Sequence, residues 1–167
     1  VKLIVLTHAH FDHAENAAKI SDVLGIPIGM NENDCNLIQS NRNQSLSAVN
    51  ILGKIVLSVS LKEFSVRSMP EFIPHVLLHN DDSLSDYGIN AHIISLPGHT
   101  DGSIGIDVDN KYLIVGDALM NMFYPTVSML YHNRDNMLES ARKISSIGNR
   151  IIYFGHGKPV TNKQWVK

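Results

Sequence analysis

The 167-residue chain has one cysteine, Cys35, so it can form no intrachain disulfide. No run of it approaches the roughly 18 consecutive apolar residues of a membrane span. Charged residues make up 18% of the chain, the formal net charge is −2, and no basic run occurs. That balance lacks the electrostatic footprint of a nucleic-acid binder. There is no internal repeat, and no serine, histidine and aspartate are spaced as a nucleophilic triad. What remains is 44% hydrophobic, enough apolar material for a real core. Residues 1–167 therefore read as one cytoplasmic domain. Cys35 falls early in a short helical stretch and reads as a half-buried structural thiol.

What the chain does have is a knot of histidine. His8, His10, Asp12 and His13 crowd into the run Thr7-His8-Ala9-His10-Phe11-Asp12-His13. Four such groups repel one another on protonation and are hard to satisfy as ordinary core residues; a metal resolves the conflict. The run follows Val1-Lys2-Leu3-Ile4-Val5-Leu6, which reads as a buried strand. In extended chain, positions two apart share a face, so His8 and His10 can hold one ion. Asp12 and His13, past the strand end, can turn toward a second.

Three later positions have the same setting. Strand-like runs lead into Pro97-Gly98-His99-Thr100, into Gly116-Asp117 and into Gly155-His156-Gly157. Strand ends beside turns are where α/β folds place their chemistry. Five imidazoles and two carboxylates suffice for two ions with one carboxylate shared, and imidazole suits zinc and other first-row metals. Taken singly, His75, His79 and His92 read as hydrogen-bonded structural residues.

With these residues in this order, the chain resembles the metallo-β-lactamase superfamily of metallohydrolases. The His-x-His-x-Asp-His pattern falls on His8, His10, Asp12 and His13, and the later histidine, aspartate and histidine on His99, Asp117 and His156. The resemblance implies that His8, His10 and His99 hold a first metal and Asp12, His13 and His156 a second, with Asp117 bridging. It implies two divalent ions, zinc foremost, with iron or manganese as alternatives. It also implies an α/β fold, the αβ/βα sandwich of that superfamily. In that family about 50 residues forming the first strands precede this point, so the chain reads as N-terminally truncated, and a signal peptide would lie in the missing part.

The expected activity is metal-dependent hydrolysis of a small ester, thioester or lactone by a bridging hydroxide, with Asp12 and Asp117 orienting it. True β-lactamases of the superfamily carry cysteine or serine where Asp117 stands, which argues against β-lactams. The alternatives are a mononuclear-iron persulfide dioxygenase or a metal-binding domain without catalysis. Residues 40–74 read as a variable insertion that forms a substrate wall, or else simply packs on the sheet or makes a dimer surface. Tyr124 is a candidate hydrogen-bond donor to the substrate, and Lys158 a candidate partner for an anionic group. The expected partner is a small molecule, with a homodimer as one arrangement and neither nucleic acid nor membrane.

Along the chain, residues 14–24 read as a helix carrying Ala17, Ala18, Ile20, Val23 and Leu24, stopped by Gly25. Residues 26–30 return as a strand, which implies a parallel crossover. Residues 40–47 read as a loop, 49–59 as a helix and 60–74 as irregular chain. Short strands are expected at 75–78 and 83–84, then strands at 90–96, 103–108 and 111–115, the last two joined by a turn at Asp109-Asn110. Residues 135–147 read as an amphipathic helix capped by Asp135, with Met137, Leu138, Ala141, Ile144 and Ile147 inward.

Overall fold

A computed structural model describes residues 1–39, 45–66 and 69–166, with side chains omitted for 63–66. The chain opens with β1 (Ile4–Val5), then α1 (Phe11–Ala14), α2 (Ala17–Leu24) and β2 (Ile28–Met30). A 3₁₀ turn at Glu32–Asp34 runs straight into α3 (Cys35–Gln39). There follow β3 (Ser47–Ala48), α4 (Ile51–Val66), β4 (Val76–Leu77), β5 (Ala91–Ser95), β6 (Ile104–Val108) and β7 (Tyr112–Gly116). The chain finishes with β8 (Leu119–Met120), β9 (Thr126–Val127), β10 (Leu130–Tyr131), α5 (Arg134–Ser146), β11 (Ile151–Phe154) and β12 (Val160–Thr161). No helix among the described residues is long and apolar enough to cross a membrane.

Two sheets carry the architecture. β1, β2 and β4 form a parallel sheet in the order β1-β2-β4, so the expected crossover is present. The larger sheet has the order β12-β11-β7-β6-β5. The sheets meet through Leu3, Val5 and Val76 on one side and Ala91, Ile93, Ile104 and Ile106 on the other. The first three helices cover the outer face of the small sheet, where Ala14, Ala17, Leu37 and Ile38 pack with Ile28 and Met30. On the far side α5 packs Ala141 and Ile144 against Leu113, Val115 and Ile152. The result is the expected αβ/βα sandwich.

Strand direction places the site. β5 and β7 both run antiparallel to β6, and β11 runs parallel to β7. So β5, β7 and β11 share one direction and end at one edge of the sheet. The same edge receives the end of β1, because the Ile104 amide donates to the Thr7 carbonyl at 2.8 Å.

Several expectations need correction. The first helix is broken into α1 and α2, and α2 buries Ala17 and Ser21 while Ile20, Val23 and Leu24 stay exposed. An apolar stripe alone did not show which side of this short helix meets the sheet. α4 continues to Val66, well past the expected end, and residues 67 and 68 lie outside the described residues. Of the expected loop at 40–47, residues 40–44 lie outside them too, while Ser47 pairs with Tyr131. Lys111 belongs to the hairpin loop, since the register pairs Val108 with Tyr112. Asp109 and Asn110 do take the positive φ of 55° and 52° that a tight hairpin turn needs. Asn133, not Asp135, caps α5: its side chain accepts from the amides of Asp135 and Asn136, and Asp135 lies in the first turn.

Two stability predictions follow from these contacts. Asn133→Ala, which removes the cap, should lower the unfolding free energy by about 1 kcal/mol. Leu113→Ala, at a fully buried position, should lower it by about 2–5 kcal/mol. Urea denaturation followed by far-ultraviolet circular dichroism measures both.

Candidate metal centre

Four chain segments meet at that sheet edge. The loop after β1 brings His8 and His10, and α1 carries Asp12 and His13. The turns after β5, β7 and β11 bring His99, Asp117 and His156. All seven candidate residues come together. His8, His10 and His99 form one compact group, Asp12, His13 and His156 another, and His8, His13 and Asp117 a third between them, with ligand atoms within 4.8 Å in each. The first group is wholly buried, whereas the Asp12 and His156 side chains are 45% and 34% exposed. The site is therefore open on the second group's side.

Asp117 is the hub. Its Oδ1 lies 3.6 Å from His13 Nε2, and its Oδ2 lies 3.7 Å from His99 Nε2 and 3.4 Å from His156 Nε2. Close approach depends on Gly155, where a Cβ would collide with Asp117 Oδ1 and lie 2.7 Å from His13 Cε1. The ring of His99 is oriented from behind: its Nδ1 donates to the Leu130 carbonyl at 2.9 Å, which leaves the Nε2 lone pair facing the cluster. That Nε2 lies 2.9 Å from His10 Nδ1, so two ring nitrogens converge on one point.

The electrostatics are those of a ligand set. Burial, reinforced by the neighbouring imidazoles His13, His10 and His99, pushes the His8 pKa well down. Burial and His99 lower His10 to about 3. These rings are neutral, as metal ligation requires. Burial alone would raise Asp117, but the hydrogen bond from His156 and the electrostatic influence of the surrounding His99, His8 and His13 rings hold it well below the usual carboxylate range. In Asp12 burial is likewise outweighed, by the His156 hydrogen bond and by His13, and its pKa is lowered. His156 is the exception. Hydrogen bonds to Asp117 and Asp12 raise it to about 10, so it is a cation until something else neutralises those two carboxylates.

Whether these residues fit a metal can be judged from the buried polar atoms. Among the described residues, the buried atoms His8 Nε2, His13 Nε2 and Asp117 Oδ1 have no hydrogen-bond partner. Such atoms are costly to bury unless something coordinates them, and a cation among imidazole nitrogens and carboxylate oxygens does so.

The cluster floors an open cleft, into which five of the seven residues project. Its walls are Leu46, Val56 and Ser60 on one side and Met120, Met122 and Leu130 on the other. The insertion thus contributes α4 to the cleft. Tyr124 is half exposed and Lys158 exposed, with the Lys158 carbonyl accepting from Asn121, and neither lines this cleft. His75, His79 and His92 lie elsewhere: His75 Nδ1 accepts from the Ile28 amide, His79 meets Glu32 at 2.9 Å, and His92 faces Asp107 at 4.0 Å.

Comparison with known proteins agrees with this geometry. Residues 1–156 match the family described as the metallo-β-lactamase superfamily. The chain belongs to the metallo-β-lactamase superfamily. It is a metallohydrolase of that group. It is 27% identical over 166 residues to the hydroxyacylglutathione hydrolase GloC of Haemophilus influenzae, covering 96% of this chain and 71% of that one. It is 28% identical to a probable metallo-hydrolase of Methanocaldococcus jannaschii, covering 95% and 70%. Among solved structures, the BLEG-1 B3 metallo-β-lactamase superposes with a TM-score of 0.73 at 23% identity, over 96% of this chain and 71% of that one.

Sequence reasoning missed what stands behind the ligands. In the structure Thr100 and Ser103 bond each other and Asp101 faces His132, while the Leu130 carbonyl and Ser128 Oγ approach His99 Nδ1. Asp34, fully buried beneath both ligand loops, was missed altogether.

The Gly155 contact generates a prediction. Gly155→Ala should displace Asp117 and His13 and weaken zinc binding by about tenfold or more, on the scale of losing a ligand-orienting partner. Zinc titration against a chromophoric chelator checks it.

Proposed function

We propose that the protein hydrolyses a small ester, thioester or lactone at a dinuclear centre, with zinc best matched to its five imidazoles. In this reading His8, His10 and His99 hold one ion, Asp12, His13 and His156 the other, and Asp117 bridges. The observation that carries it is the merging of two three-ligand groups around one buried carboxylate at the floor of an apolar-walled cleft.

Bound there, the metal pair would supply Lewis acidity and a water whose pKa falls toward neutrality. The chain's own residues do the rest. Asp117, buried and ringed by imidazoles, sets the separation of the two ligand groups. Asp12, the more exposed carboxylate, is positioned to accept a hydrogen bond from the attacking water. Val56, Met120, Met122 and Leu130 give an acyl group an apolar surface and exclude water from it. The relative named hydroxyacylglutathione hydrolase supports the thioester choice within this class. The partner is then a small molecule, with Tyr124 and Lys158 as contacts only for parts of a substrate that reach beyond the cleft.

A kinetic panel tests the reading. The protein should turn over thioesters, lactones or simple esters, lose activity to a chelator and regain it with zinc. Cleavage of nitrocefin or precursor tRNA with none of these would overturn it, as would oxygen uptake with glutathione persulfide in place of hydrolysis. Asp117→Ala should lower kcat by more than about 100-fold, beyond the effect of removing a partner that merely orients a ligand, with little loss in the thermal midpoint of the metal-free protein. Near-normal turnover in that variant would remove Asp117 from the bridging role.

A further inference from the structure

We propose that Asp34 is a positioning residue that sets the distance between the two ligand loops of the first metal group, and so tunes metal affinity and geometry without being a ligand. The inference rests on the metal-centre reading above and deepens it.

Asp34 is 0% exposed and belongs to none of the candidate ligand groups. Its Oδ2 accepts from the amide of Ala9 at 3.0 Å and from Thr100 Oγ1 at 2.8 Å. Its Oδ1 accepts from the amide of Gly102 at 2.7 Å. Ala9 is the residue between His8 and His10, and Thr100 directly follows His99. One carboxylate therefore ties together the loops that carry all three imidazoles of the group. Three donors thus converge on its two oxygens, and these bonds counter the upward push of burial on its pKa.

The anchor is itself fixed. Asn31 Oδ1 caps the 3₁₀ turn by accepting from the Asn33 amide, and Asn31 Nδ2 donates to the Leu78 carbonyl at the end of β4. Ser103 Oγ holds Thr100 from the other side, 2.8 Å from its Oγ1 and 3.1 Å from its amide. Gly102 completes the fit, since a Cβ there would lie 2.6 Å from Asp34 Cγ and 2.7 Å from the Asp34 amide nitrogen. The loop can reach the carboxylate only because residue 102 has no side chain. The convergence of His10 Nδ1 and His99 Nε2 at 2.9 Å is the spacing that this clamp maintains.

The test compares zinc affinity and the visible spectrum of the cobalt-loaded protein in wild type, Asp34→Asn, Thr100→Val, Gly102→Ala and Asn133→Ala. Asp34→Asn keeps the shape but turns one acceptor into a donor facing donors. It should weaken zinc binding by about 10–100-fold, the range for groups that orient ligands, and shift the cobalt bands. Thr100→Val, which loses one of the three bonds, and Gly102→Ala, which pushes the loop away, should shift both readouts in the same direction. Asn133→Ala should lose stability with zinc affinity and cobalt spectrum unchanged. If Asp34→Asn does not fold, the Thr100 and Gly102 variants decide the matter. Wild-type affinity and spectrum in the folded variants, or an equal loss in Asn133→Ala, would overturn the inference. A wild-type protein that binds no zinc would overturn the metal reading itself, an outcome distinct from zinc binding that ignores Asp34.

Discussion

A buried carboxylate surrounded by imidazoles is the constraint on which the rest of the structure depends. Asp117 could not remain ionised at that depth without His156, His99, His8 and His13 around it. His8 and His10, buried beside one another, could not lie so close as cations. Each side needs the other, and the fold meets the requirement by ending several strands at one place. The shared direction of β5, β7 and β11 fixes where the later ligands emerge, and the Thr7–Ile104 bond brings the first loop alongside them.

Much of this was legible in the residues. Seven ligand-type side chains, each following an apolar run and most preceded by glycine or turn chemistry, pointed to strand ends sharing a site. The crossover from β1 to β2 and the inward face of α5 were local patterns of period 2 or 3.6 and match the structure, and the turn at Asp109-Asn110 is present with Lys111 added to its loop. What was not legible depends on tertiary partners. Asp34 sits in Asn33-Asp34-Cys35, a stretch that locally reads as helix start. Nothing nearby shows that it will lie under loops contributed by residues 9 and 100–102. The acceptor for His99 is a backbone carbonyl, and a backbone carbonyl leaves no mark in a sequence. Asn133 and Asp135 both can cap a helix, and the extended backbone at Asn133 decided between them. In α2 Ala17 packs into the core while the larger Ile20, Val23 and Leu24 face outward.

The site separates two tasks in the chain. The seven clustered residues come from strand ends, where displacement of a loop would be felt by several rings at once. The cleft walls come from α4 and from Leu46, Met120, Met122 and Leu130. A change at Val56 or Met122 therefore alters the shape offered to a substrate while leaving the seven residues in place.

The seven residues also span nearly the whole chain, from His8 to His156, and no stretch of sequence holds even one complete three-ligand group. Every group closes a long loop, so the cluster forms only after most of the non-local contacts are made. An ion that prefers the assembled cluster to the unfolded chain then stabilises all four layers together, through mass action rather than through any added contact in the core. With such an ion bound, metal availability and folding would be one equilibrium, and scarcity of the ion would lower the folded fraction even in parts of the sandwich far from the cleft.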